Sequence, residues 1–89
     1  LSASREVEVT NRRGLHARAS AKFVTLAAGQ PLEVKVTKGG STVTGTSIMG
    51  LMMLGAAKGD SITISAEGDG ADGVVDAMCA LVEGKFGED

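Results

Sequence analysis

The chain predicts an α+β fold of two layers, one mostly antiparallel sheet with helices on a single side. Three observations carry this. Several short segments alternate apolar and polar residues with a period of two, two longer segments repeat apolar residues at helical spacing, and the polar strand positions carry Thr, Ser, Glu and Lys as a solvated sheet face does. With 89 residues, 43% hydrophobic and 22% charged, the composition is that of a globular chain with room for one core, so a single domain over 1–89 is expected.

Arg5 to Thr10 alternates, placing Val7 and Val9 on one face and Glu6 and Glu8 on the other. Asn11 to Gly14 then turns. From about His16, the positions Ala19, Phe23, Leu26 and Ala27 form one stripe of a helix, with Gly29 and Pro31 as stop signals. Leu32, Val34 and Val36 alternate again, and Gly39-Gly40 turns the chain into a short strand around Val43. Ser47 precedes Ile48, Leu51 and Met52 and is the expected N-cap of a short second helix, broken by Gly55 and Gly59. Ile62, Ile64 and Ala66 make a fourth strand. Val75, Met78, Cys79 and Val82 make a last helical stripe, with Asp69 or Asp72 as its cap. The order is βαββαβα, near the ferredoxin-like arrangements, and the pattern does not select a strand order.

Two Phe and no Tyr or Trp leave little aromatic surface for stacking nucleic-acid bases. Cys79 is alone, which excludes a disulfide framework and favours a reducing compartment; with nothing basic beside it in sequence, it is expected to be a buried, inert thiol. The longest near-apolar run, Ile48 to Ala57, contains two glycines and falls short of the roughly 20 residues that cross a bilayer. Arg5, Glu6 and Glu8 arrive without an apolar signal segment, so a cytoplasmic location is expected.

The net charge of -2 conceals a polarity. Asn11 to Lys22 holds Arg12, Arg13, Arg18 and Lys22 and no carboxylate, whereas Glu67 to Asp89 holds seven carboxylates against Lys85 alone. Such runs are commonly two solvated faces; alternatively, the basic segment attracts an anion or an acidic partner. His16, the only histidine, stands at the expected start of the first helix with Arg18 two residues on. Unpaired N–H groups and the positive end of the helix dipole favour a neutral imidazole there and would stabilise an attached phosphate. Arg18 can fork onto phosphate oxygens, and Gly14 lets backbone approach a tetrahedral anion. A capping or surface histidine is the plainer alternative.

The string Asn11-Arg-Arg-Gly-Leu-His16-Ala-Arg18 resembles the active-site signature G-[LIM]-H-[AT]-R of the histidine phosphocarrier proteins, HPr. A second segment, Thr46 to Met52 and on through Lys58-Gly59-Asp60, is similar to the regulatory-serine segment of that family, and Thr10-Asn11, the Met-Leu run and the acidic end also resemble its nitrogen-branch form, NPr. The resemblance spans the chain. It implies the HPr open-faced β-sandwich: four antiparallel strands in the order 1-4-2-3, covered on one face by three helices. It further implies that His16 accepts a phosphoryl group on Nδ1 from phospho-Enzyme I, charged by phosphoenolpyruvate, and passes it to a histidine of an Enzyme IIA-type protein. Arg18 would stabilise the group, with Gly14 and Ala17 as adjacent backbone, and neither metal nor cofactor is needed. The protein would be a monomeric carrier modified on histidine, without being a stand-alone enzyme, and would bind neither nucleic acid nor membrane.

Ser47 would be the site of regulatory phosphorylation by an HPr kinase/phosphorylase, although capping alone already explains a serine there. Ile48, Met49 and Met52 are assigned to docking by the same resemblance, with Arg12, Arg13, Lys22 and Phe23 added for their nearness to the motif. One departure stands out: Ala19 occupies the position where most of the family has proline. Three other classes compete: a purely regulatory relative acting through Ser47, a nucleic-acid-binding module using the basic segment, and a hydrolase. Retained His16 opposes the first, the acidic and aromatic-poor chain the second, and the lack of a second catalytic partner the third.

Overall fold

The computed structural model describes residues 1–88. The elements are β1 (Ser2–Glu8), α1 (Ala17–Ala28), β2 (Lys35–Lys38), β3 (Ser41–Thr44), α2 (Ile48–Met53), β4 (Ser61–Glu67), α3 (Ala71–Glu83) and a final 3₁₀ turn over Lys85–Gly87. The four strands form one antiparallel sheet in the order β1-β4-β2-β3. That is the order implied by the family resemblance and left open by the residue pattern alone.

Register follows the apolar face. Ile62 stands opposite Val7, and Ile64 is flanked by Arg5 on β1 and Val36 on β2. Val7, Val36, Ile62, Ile64 and Ala66 are buried under the helices, while the other face keeps its small and charged residues. Gly39 takes a φ of 59° in the two-residue connection from Lys38 to Ser41, a conformation that glycine adopts at little cost. Arg5 shares the covered face of edge strand β1 and reaches Asp76 at 3.2 Å and Glu83 at 3.3 Å on α3. An inward-pointing charge of this kind makes an exposed strand edge a poor template for pairing with another chain.

On α1, Ala19, Phe23 and Ala27 are buried as the stripe predicts. On α3, Val74, Val75, Met78, Cys79 and Val82 are buried, and burial pushes the Cys79 thiol up against the opposing pull of Arg5. Three expectations are corrected. The first strand ends at Glu8, and Val9 pairs instead with the loop before β4, its N–H donating to the Asp60 carbonyl at 2.8 Å. The alternation of Leu32 and Val34 precedes the ladder, which begins at Lys35. Neither Asp69 nor Asp72 caps α3: Gly70 does so at φ 86°, with no side-chain cap, and Asp72 lies in the first turn, where its charge suits the dipole.

No helix among the described residues is long and apolar enough to cross a membrane.

Candidate functional site

The loop between β1 and α1 is pinned at both ends. Val9 and Leu15 are buried, and Leu15 N–H donates to the Ala56 carbonyl at 2.9 Å. Asn11, fully buried, folds the loop back by donating from Nδ2 to the Gly14 carbonyl at 2.8 Å. Gly14 has φ 62°, and a Cβ there would lie 2.3 Å from the Ala56 carbonyl oxygen. The glycine is thus required by close packing of the loop after α2, and the earlier reason, approach of an anion, is not needed to explain it. Ser20, also buried, donates from Oγ to the Leu15 carbonyl at 3.1 Å.

These contacts fix the backbone on both sides of His16. His16 is the N-cap of α1, extended at φ −72° and ψ 178°, and its side chain makes no capping bond. The Ser20 N–H is the first to bond back, to the His16 carbonyl at 2.9 Å. The N–H groups of Ala17, Arg18 and Ala19 therefore have no partner within the helix. A proline in place of Ala19 would forfeit no helical bond, because the N–H at this position has no partner within the helix to lose.

The ring itself is met by the far end of the chain. After α3, Lys85 and Phe86 adopt φ of 59° and 56°, a left-handed conformation costing non-glycine residues on the order of 1 kcal/mol each. Burial of Phe86 and a 2.8 Å bond from Lys22 Nζ to its carbonyl hold this turn in place. Glu88 is thereby delivered to His16, its carboxylate oxygens 2.9 and 3.1 Å from Nε2, and Oε1 also accepts from Asn11 Nδ2 at 2.8 Å. The two side chains are 15% and 19% exposed, so the contact is partly shielded from water.

The bonds from His16 and Asn11, and after them the charge of Lys22, hold the Glu88 carboxyl below its ordinary value of 4.5. An ionised carboxylate only accepts, so the ring nitrogen facing it, Nε2, carries a proton, and whenever the imidazole is neutral its lone pair resides on Nδ1. The depressed carboxyl makes docking of the tail favourable above pH 4.5; this contribution is lost as pH falls through the lower value of the folded state. An acid titration followed by NMR is expected to show the Glu88 carboxyl carbon and the Asn11 side-chain amide signals moving together below that pH.

Arg12, Arg13, Arg18 and Glu88 line a hollow of about 200 Å³ beside this pair. Ala17 and Arg18 are exposed at the helix end. A larger hollow of about 480 Å³, along Ser2, Ser4, Lys35 and Ser65, holds no histidine or arginine, so size does not locate the chemistry. Among the described residues no group of three or more His, Cys, Asp or Glu is placed to hold a metal ion.

Ser47 caps α2 as expected, its Oγ accepting from the Gly50 N–H at 2.9 Å. Only Leu51 of that helix is buried; Ile48, Met49, Met52 and Met53 are exposed, Met49 by 68%. Because α2 packs on α1, this apolar surface lies on the helix next to the one that begins at His16. Lys22 is exposed, but Phe23 is corrected: it is wholly buried among core side chains and offers no surface to a partner. Asn11, Ser20 and Glu88 were missed as site residues. For Glu88 the available signal was the opposition of a basic and an acidic segment; for Asn11 and Ser20 there was none beyond their places in the turn and first helix.

A family model described as "PTS HPr component phosphorylation site" matches residues 3–84. The chain belongs to the HPr phosphocarrier family. It is 49% identical over 82 residues to the phosphocarrier protein HPr of Neisseria meningitidis serogroup B, covering 92% of each chain. It is 40% identical over 84 residues to the phosphocarrier protein NPr of Shewanella violacea, covering 94% of this chain and 92% of that one. Among solved structures it is similar to HPr-C-His from Thermoanaerobacter tengcongensis, with a TM-score of 0.91 and 39% identity over 98% of each chain. The family places the protein as a phosphocarrier of the phosphotransferase system.

Proposed function

We propose that His16 is the phosphoryl acceptor, charged on Nδ1 by phospho-Enzyme I and discharged to a histidine of an Enzyme IIA-type protein serving sugar uptake or nitrogen-related regulation. The observation that carries this is the placement of His16: a ring that caps nothing, at a helix end with three open N–H groups, beside a hollow lined by three arginines and Glu88. Phosphoryl oxygens in that hollow meet the Arg18 fork and the positive end of α1, with Arg12 and Arg13 adding to the field. No metal or cofactor enters this scheme.

The exposed side chains of Ile48, Met49 and Met52 form the apolar part of the docking surface, and Arg12, Arg13 and Lys22 the basic part. Flexible thioethers suit one carrier that must fit several partners. Ser47 is the proposed site of regulation by an HPr kinase/phosphorylase; a phosphate there sits at the edge of the docking surface and repels an acidic partner. We place the protein in the cytoplasm as a single-domain monomer.

Incubation with phosphoenolpyruvate and Enzyme I, followed by intact mass, is expected to add one acid-labile phosphate to the protein and none to the His16→Ala variant. Equal labelling of the two would refute the assignment.

A further inference from the structure

We propose that Glu88 is a positioning residue for phosphoryl transfer: its carboxylate keeps the proton on Nε2 of His16 and offsets the positive charge that the ring acquires when Nδ1 bonds phosphorus. This rests on His16 being the acceptor.

Three features place Glu88 for the role. Its two oxygens approach a single ring nitrogen at 2.9 and 3.1 Å. A second donor, Asn11 Nδ2, fixes Oε1 at 2.8 Å, so the carboxylate is held by buried backbone-anchored structure as well as by the ring. The tail that presents it is fastened by buried Phe86 and by Lys22, across two consecutive residues in the left-handed region. Strained backbone of this kind persists only where the surroundings enforce it, and it is enriched at functional sites.

The step balances without a proton leaving the ring. The Nδ1 lone pair forms the new N–P bond as the donor's P–N bond breaks, and that bonding pair returns to the donor nitrogen. His16 becomes a phosphoimidazolium that retains its proton on Nε2, facing Glu88. Delivery reverses the step: the pair of the N–P bond returns to Nδ1 and the ring is neutral again. A carboxylate behind the far nitrogen thus stabilises charge that appears only as the group arrives, the role a buried aspartate plays behind a histidine in hydrolases.

The test compares the protein with Glu88→Gln, which keeps the size and an accepting oxygen but removes the charge. Both are phosphorylated with phosphoenolpyruvate and Enzyme I, and two quantities are read: the initial rate of labelling, and the pH profile of hydrolysis of the phosphorylated form. Protonation of the phosphorylated ring makes it a better leaving group, so the midpoint of that profile reports the charge of the ring. The other charged groups on the elements around it are Arg12 and Arg13 in the loop, Arg18 and Lys22 on α1, Lys85 in the last turn, and Lys58 and Asp60 in the loop packed on Gly14. All are common to both proteins.

The expected result is labelling slowed about tenfold and a midpoint lower by about one pH unit in the variant. A midpoint that does not move overturns the role of Glu88, even if labelling slows, because a carboxylate that stabilises the charged ring must shift that midpoint when its charge is removed. Failure of the unmodified protein to be labelled by an Enzyme I active on another carrier would instead overturn the His16 assignment on which this rests.

Discussion

Phe86→Ala is expected to produce a large loss of stability and to free the end of the chain at the same time. The ring is 1% exposed and seals the junction of α1, α3 and the last turn. Truncating a buried phenylalanine costs about 3–5 kcal/mol, and release of the left-handed turn returns on the order of 1 kcal/mol per strained residue. A net loss of about 1–3 kcal/mol remains, which for a chain of this size lowers Tm by about 4–24 °C. Because Phe86 fixes the turn that delivers Glu88, the carboxylate should leave His16 in the same variant. Thermal unfolding measures the first effect, and loss of the Asn11 side-chain amide protection measures the second.

Gly14→Ala has an effect of similar size. A methyl group at this position meets a backbone carbonyl at 2.3 Å and the Ala57 Cα at 2.8 Å, and neither is the mobile end of a side chain. Overpacking costs about 1–3 kcal/mol, and an alanine at φ 62° adds on the order of 1 kcal/mol. Denaturant unfolding should show a loss of about 2–4 kcal/mol. The damage spreads to the site, since moving the Ala56 carbonyl breaks the 2.9 Å bond that anchors Leu15 just before His16. An alanine variant as stable as the parent would show that the loop yields freely, and the rigid seat described for His16 would then be wrong.

Much of the fold was legible because its cause is local. Alternation at Ile62, Ile64 and Ala66 and the stripes on α1 and α3 record which face is covered, and the Ser47 cap is a hydrogen bond spanning three residues. The place of His16 at the start of α1 was legible from the helical stripe that follows it, whereas its proposed role rests on the resemblance of the string around it to the family signature. What escaped has a cause distant in sequence. The limits of β1 and β2 are set by which partner strand continues, so Val9 and Val34 are buried yet stand outside the ladders. Phe23 belongs to the basic segment by position but to the core by helical phase. Glu88 reaches across 72 positions through a turn at Lys85 and Phe86 that no propensity favours, so the acidic end reads in sequence as a solvated tail.

NMR of the phosphorylated protein with ¹⁵N-labelled histidine reads the site of phosphorylation and the ring proton together. A phosphorus coupling on His16 Nδ1 and a proton retained on Nε2 are expected. Phosphorus on Nε2, or on any residue other than His16, would contradict the assignment, because the first requires Glu88 to be expelled from the ring and the second removes the histidine from the transfer altogether.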